Sequence, residues 1–82
     1  MLRRLEELSN LIGVSGDEGR VRRYIRDIAK EYADEVWVDA MGNLYAHKKG
    51  EGRRVMACAH MDEVGMMVTD IEENGMLRLR SV

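Results

Sequence analysis

Apolar positions in the first dozen residues fall at helical intervals. Leu2, Leu5, Leu8, Leu11 and Ile12 share one face, while Arg3, Arg4, Glu6 and Glu7 fill the other. This pattern predicts a short amphipathic helix over residues 2–12, ended by the glycines of "GVSG". Ser15 and Glu18 then have the Ser-x-x-Glu spacing of a capping box. Val21, Tyr24, Ile25, Ile28, Ala29 and Tyr32 follow at three- and four-residue steps, which predicts a second helix from about residue 16 to 33.

Beyond residue 33 the period shortens to two. "DEVWVDA" and "NLYAHKK" alternate on either side of the turn signal "MGN", the signature of an antiparallel hairpin. After the charged loop "KKGEGRR", the run "RVMACAH" is almost continuously apolar, the mark of a strand buried on both faces. "GMMVTDIE", the turn "ENG" and "MLRLRSV" predict two further strands. The expected class is α/β, with two N-terminal helices followed by about five strands of a mixed sheet. Residues 1–82 end inside an alternating segment, so the chain reads as the front part of a longer protein.

Composition narrows the function classes. Eighty-two residues suffice for one small domain. The 13 basic and 15 acidic residues are interleaved, without the basic footprint of a nucleic-acid binder. No apolar run approaches the roughly 20 residues that span a bilayer, and the N-terminus lacks the apolar core of a signal peptide. A single cysteine, Cys58, excludes an internal disulfide and fits a reducing cytoplasm. Phenylalanine and proline are absent, so the expected core is aliphatic and rich in methionine. The chain reads as soluble, cytoplasmic and globular.

The candidate chemistry lies in "CAHMDEVG", Cys58 to Gly65. Residues i and i+2 of an extended chain face the same way, so His60 and Asp62 can converge. Imidazole and carboxylate are common ligands of zinc-like cations. A histidine ligand works best when its other ring nitrogen donates to a carboxylate, a role Asp62 can fill. The location after a buried strand also fits, because α/β enzymes carry their sites at the carboxyl ends of strands. The spacing alone leaves a plainer reading open, that of polar residues where a strand meets water. His47, beside Lys48 and Lys49, reads as a solvated surface residue. Cys58 reads as a small core residue, and Met61, Met66 and Met67 as core packing. Asp62 and Glu63 are adjacent and therefore a poor acid–base pair. Trp37 reads as the cover of a neighbouring surface.

Three stretches in order, "LSNLIGVSGDEGRVR", "DEVWVDAMGNLYAHKKG" and "VMACAHMDEVGMMV", resemble the start of the glutamyl aminopeptidase family, also called the tetrahedral aminopeptidases. The third is the most specific. The resemblance implies part of an α/β/α metallopeptidase catalytic domain that cleaves N-terminal residues from short peptides. It implies two divalent metal ions, zinc or cobalt, and a bridging water. By the match, His60 corresponds to a metal ligand and Asp62 to the carboxylate that orients it. The family's bridging aspartate, general-base glutamate, two further acidic ligands and second histidine have no counterparts in these residues. The family's homo-oligomer, a dodecamer, is likewise implied only for a full-length protein. By this reading the 82 residues alone are inactive and bind metal weakly. Glycoside hydrolysis is a second possibility, because relatives carry endoglucanase labels, but it needs a pair of flanking carboxylates that is not evident. A non-catalytic fragment or assembly module is a third.

Overall fold

A computed structural model describes residues 1–82. Two helices come first, α1 (Leu2–Ser9) and α2 (Gly19–Ala29). Four strands follow: β1 (Glu35–Val38), β2 (Leu44–His47), β3 (Met66–Ile71) and β4 (Leu77–Ser81). The α/β class and the helices-then-strands order match the sequence expectation. The mixed five-stranded sheet does not: β1–β2 and β3–β4 form two separate antiparallel pairs.

Both hairpins turn by the same wiring. The Asp39 N–H donates to the Asn43 carbonyl at 3.0 Å, and the Gly42 N–H to the Asp39 carbonyl at 3.1 Å. Glu72, Gly75 and Met76 repeat this with distances of 2.8 and 2.9 Å. Each turn places glycine at positive φ, +87° at both Gly42 and Gly75, the left-handed position of a three-residue hairpin loop. In the first hairpin Trp37 opposes Tyr45, and their rings stack with centroids 5.1 Å apart and planes 7° from parallel. Such a cross-strand aromatic pair supports the register. Residue-level alternation therefore sufficed to locate these strands.

The helices are shorter than their periodicity suggests. In α2 the regular ladder ends at Ala29, and residues 31 and 32 close with tighter turns, the Tyr32 N–H reaching the Ala29 carbonyl at 3.0 Å. At its start, Glu18 rather than Ser15 occupies the N-cap position. The capping box does not form, because the helix starts beyond it, at Gly19: the Ser15 hydroxyl donates to Asp62, and Glu18 Oε1 accepts from the Gly16 N–H at 2.8 Å. α2 packs against β2, and Arg22 fastens the two by donating from Nε to the Gly42 carbonyl at 2.7 Å.

Burial is the largest departure from expectation. Only Gly13 and Val21 are buried, and Val21 is the single buried hydrophobic side chain. The Cα radius of gyration is 17.1 Å, against roughly 12 Å for a compact chain of this length. The principal extents are 63 × 29 × 17 Å, so the molecule is elongated and not globular. Residues 55–59, expected as a strand buried on both faces, form no strand and are exposed, Val55 to 91% and Met56 to 81%. No strand of these 82 residues lies beside them to receive their ladder hydrogen bonds. Cys58 is accordingly exposed, as are Met66 and Met67. The apolar pattern marks surface that these elements leave uncovered.

Candidate functional site

The α1–α2 loop and the segment after residue 59 lie side by side. The Glu63 N–H donates to the Gly13 carbonyl at 2.8 Å, and Val14 and Glu63 form a parallel bridge. Glycine makes room at two positions, Gly65 where the two segments meet and Gly13 where the loop meets α2. A Cβ on Gly13 would stand 2.5 Å from Val21 Cγ2, and one on Gly65 would overlap Val14 Cγ1. Val82 donates its N–H to the Gly65 carbonyl at 3.1 Å, tying the end of β4 to the same place. This clasp, not a flanking strand, positions residues 60–63.

Within it, His60 and Asp62 meet as their spacing predicts. His60 Nδ1 lies 3.0 Å from Asp62 Oδ1 and 3.0 Å from the Asp62 carbonyl oxygen. Both neighbours are acceptors, so neutral His60 carries its proton on Nδ1 and leaves Nε2 as the basic nitrogen. The imidazole side chain is 85% exposed, which leaves room for a ligand at Nε2. The other carboxylate oxygen, Oδ2, accepts from Ser15 Oγ across 47 residues of chain. The Asp62 carboxyl is held below the usual aspartate range chiefly by the Ser15 hydroxyl; desolvation opposes this, and the hydrogen bond from His60 adds a smaller lowering. An ionised Asp62 in turn favours the Nδ1-protonated tautomer. A cleft of about 310 Å³ adjoins the pair, lined by apolar residues of α1 and α2, including Leu5, Leu8 and Ile25.

Sequence reasoning assigned Ser15 to a helix cap and so missed its contact with Asp62. The available signal was indirect: a cap uses a serine oxygen only as an acceptor, which leaves the hydroxyl proton free for another partner. His47, by contrast, stands where expected, half exposed at the end of β2 and 3.8 Å from Glu35. It is on the hairpin and takes no part in the clasp. No group of three or more His, Cys, Asp or Glu side chains is arranged to hold a metal ion. The donor set at His60 therefore fits one ligand to a metal, not a complete metal centre.

A family model for M42 glutamyl aminopeptidases matches residues 42–82, a span that holds His60 and Asp62. The chain belongs to this family. Among relatives, a putative aminopeptidase of Acetivibrio thermocellus is 47% identical over 78 residues, 95% of this M42 chain and 24% of that protein. The aminopeptidase APDkam598 from the archaeon Desulfurococcus kamchatkensis superposes with a TM-score of 0.88 at 32% identity, over 98% of this chain and 23% of that one. A Thermotoga maritima structure described as an endoglucanase gives 0.78 at 42% identity, over 95% and 26%. The chain thus spans about a quarter of the length of these M42 relatives. No helix in it is long and apolar enough to cross a membrane.

Proposed function

We propose that residues 1–82 are the N-terminal part of an α/β/α metallopeptidase catalytic domain, and that the whole protein is an aminopeptidase acting on short peptides. The observation that carries the reading is the contact of His60 Nδ1 with Asp62 Oδ1 at 3.0 Å. It is the arrangement that readies an imidazole for a metal ion. His60 would hold one of two divalent ions, zinc or cobalt, through Nε2. Such ions, when bound, supply an acidic water and polarise a carbonyl. The chain's own contribution is orientation: Asp62 keeps the proton on Nδ1 and the ring in place. One ligand is too few for a catalytic metal site, which usually takes three from protein, so the 82 residues alone are inactive. Self-assembly into a homo-oligomer belongs to the full-length protein. The free thiol Cys58 accords with a cytoplasmic location.

The test compares the 82-residue chain with a longer protein containing it, on aminoacyl-p-nitroanilides with added cobalt or zinc. The longer protein should hydrolyse them and lose activity on His60→Ala, while the short chain should not. Turnover by the short chain would overturn its incompleteness. The Thermotoga maritima likeness favours one alternative, glycoside hydrolysis. Glucan cleavage by the longer protein, without peptidase activity, would establish that instead.

A further inference from the structure

Ser15 stands 47 positions from Asp62 in the chain, yet its hydroxyl donates to Asp62 Oδ2. It sits in a turn closed by the Asp17 N–H on the Val14 carbonyl at 2.9 Å. The next turn of chain begins α2, and Gly13 on its other side accepts from Glu63. The hydroxyl is therefore delivered by backbone that is itself bonded to the segment carrying the carboxylate. A carboxylate with one oxygen so held cannot rotate freely about its χ2, and its second oxygen, Oδ1, is left facing His60 Nδ1 at 3.0 Å. The three side chains form one chain of hydrogen bonds that converges on the carboxylate from both sides. Ser15 donates to Asp62, and Asp62 accepts from His60.

We propose that Ser15 is a positioning residue for His60. It acts through Asp62, fixing the carboxylate so that the imidazole keeps its proton on Nδ1 and presents Nε2. This deepens the metallopeptidase reading and rests on it for its purpose, although the hydrogen-bond chain can be tested without it. A mere packing role for Ser15 would depend on its volume. The positioning role depends on its hydroxyl, and the near-isosteric pair Ser15→Thr and Ser15→Val separates the two.

The experiment is ¹⁵N NMR of the His60 ring in the 82-residue chain, well above the ordinary imidazole pKa of about 6.5 so that the ring is neutral. His47→Gln removes the second histidine signal. The unsubstituted Ser15 protein should show His60 mainly as the Nδ1–H tautomer. Ser15→Thr should keep that preference. Ser15→Val and Ser15→Ala should move His60 toward the Nε2–H form that free histidine favours, with the Glu63-to-Gly13 hydrogen bond still protected from exchange. Asp62→Asn, which removes the charged acceptor, should move it as far or further. Equal tautomer ratios in the threonine and valine variants would overturn the proposal, whether or not the loop shifts in both. Zinc binding by a longer protein containing these residues, with and without His60→Ala, reports separately on the functional reading. If the tautomer depends on the hydroxyl but the longer protein binds zinc no less tightly after His60→Ala, Ser15 positions an imidazole and the metal reading fails.

Discussion

Arg22 Nε donates to the Gly42 carbonyl at 2.7 Å, and its guanidinium fills the space that a side chain at position 42 would need. A Cβ there would stand 2.7 Å from the Arg22 Nη2 atom. The same guanidinium lies 3.7 Å from Glu18, so one residue links the start of α2 to the turn of the first hairpin.

Gly42→Ala should therefore destabilise the first hairpin more than Gly75→Ala destabilises the second. Both glycines have φ +87°, so each substitution carries the left-handed penalty of roughly 1–2 kcal/mol. Only at Gly42 must Arg22 also move, because nothing lies within 4 Å of a Cβ on Gly75. Amide exchange of the two hairpins in the two variants measures the difference. Equal losses would show that the Arg22 contact adds nothing.

The clasp makes a second prediction. Gly65→Ala should drive Val14 away and cost about 1–3 kcal/mol, as overpacking does. Val14→Ala should relieve it, so the double variant is more stable than the sum of the single effects predicts. Denaturation of the four proteins closes the cycle. Simple additivity would mean that the two residues do not touch in solution.

Asp39 provides a prediction in pH. Its Oδ1 accepts from the N–H groups of Met41 and Asn43 at 3.0 and 2.9 Å, and its Oδ2 from the Asn43 amide at 3.0 Å and the Tyr45 hydroxyl at 3.2 Å. The Asn43 side chain, then the Asn43 backbone, hold the carboxyl below its ordinary value. A folded-state pKa below the unfolded one stabilises the turn above the ordinary aspartate pKa of about 3.9. That contribution is lost as pH falls through the lower folded value. NMR titration of the Met41 and Asn43 amides should give a midpoint below 3.9, and Asn43→Ala should raise it. An ordinary midpoint in the unsubstituted protein would refute the turn geometry.

Tyr24 ties the two helices together. Its hydroxyl donates to Glu7, which lowers the Glu7 pKa and raises that of Tyr24. An eight-residue helix such as α1 is marginal in water without tertiary contacts. Tyr24→Phe should thus reduce helicity in residues 2–9 and return the Glu7 pKa toward normal. Arg3→Ala should change stability by no more than about 0.5 kcal/mol, because the Arg3–Glu7 pair lies on the exposed surface with Arg3 90% accessible. Backbone chemical shifts of α1 distinguish the two. Matching losses would assign the helix to its surface ion pair.

What the residues disclosed in advance was whatever depends on near neighbours. Alternation located β1 to β4, glycine located both turns, and two-residue spacing brought His60 to Asp62. Distant partners left little trace. Ser15 read as a cap because Glu18 sits three residues on, and nothing local reveals an acceptor 47 residues away. The run 55–59 read as a buried strand because apolar residues indicate what a segment can bury, not whether a neighbour is present to bury it. The likeness to the glutamyl aminopeptidases, carried by "AHMDEVG" and its flanks, reached the family that spacing alone left open.

Because residues 13–15 hold residues 62–63, α2 and the first hairpin hang within a closed loop. Closing such a loop loses entropy that grows only with the logarithm of its length, about 0.6 kcal/mol for each doubling. The charged stretch from Lys48 to Arg54 lies inside it, largely exposed and outside any helix or strand. Insertions there lengthen the loop at small cost and leave the clasp in register. A single methyl group at Gly65 displaces it. The length between the two halves of the clasp can thus change widely with the imidazole kept in place, whereas the atoms at the closure itself have almost no latitude.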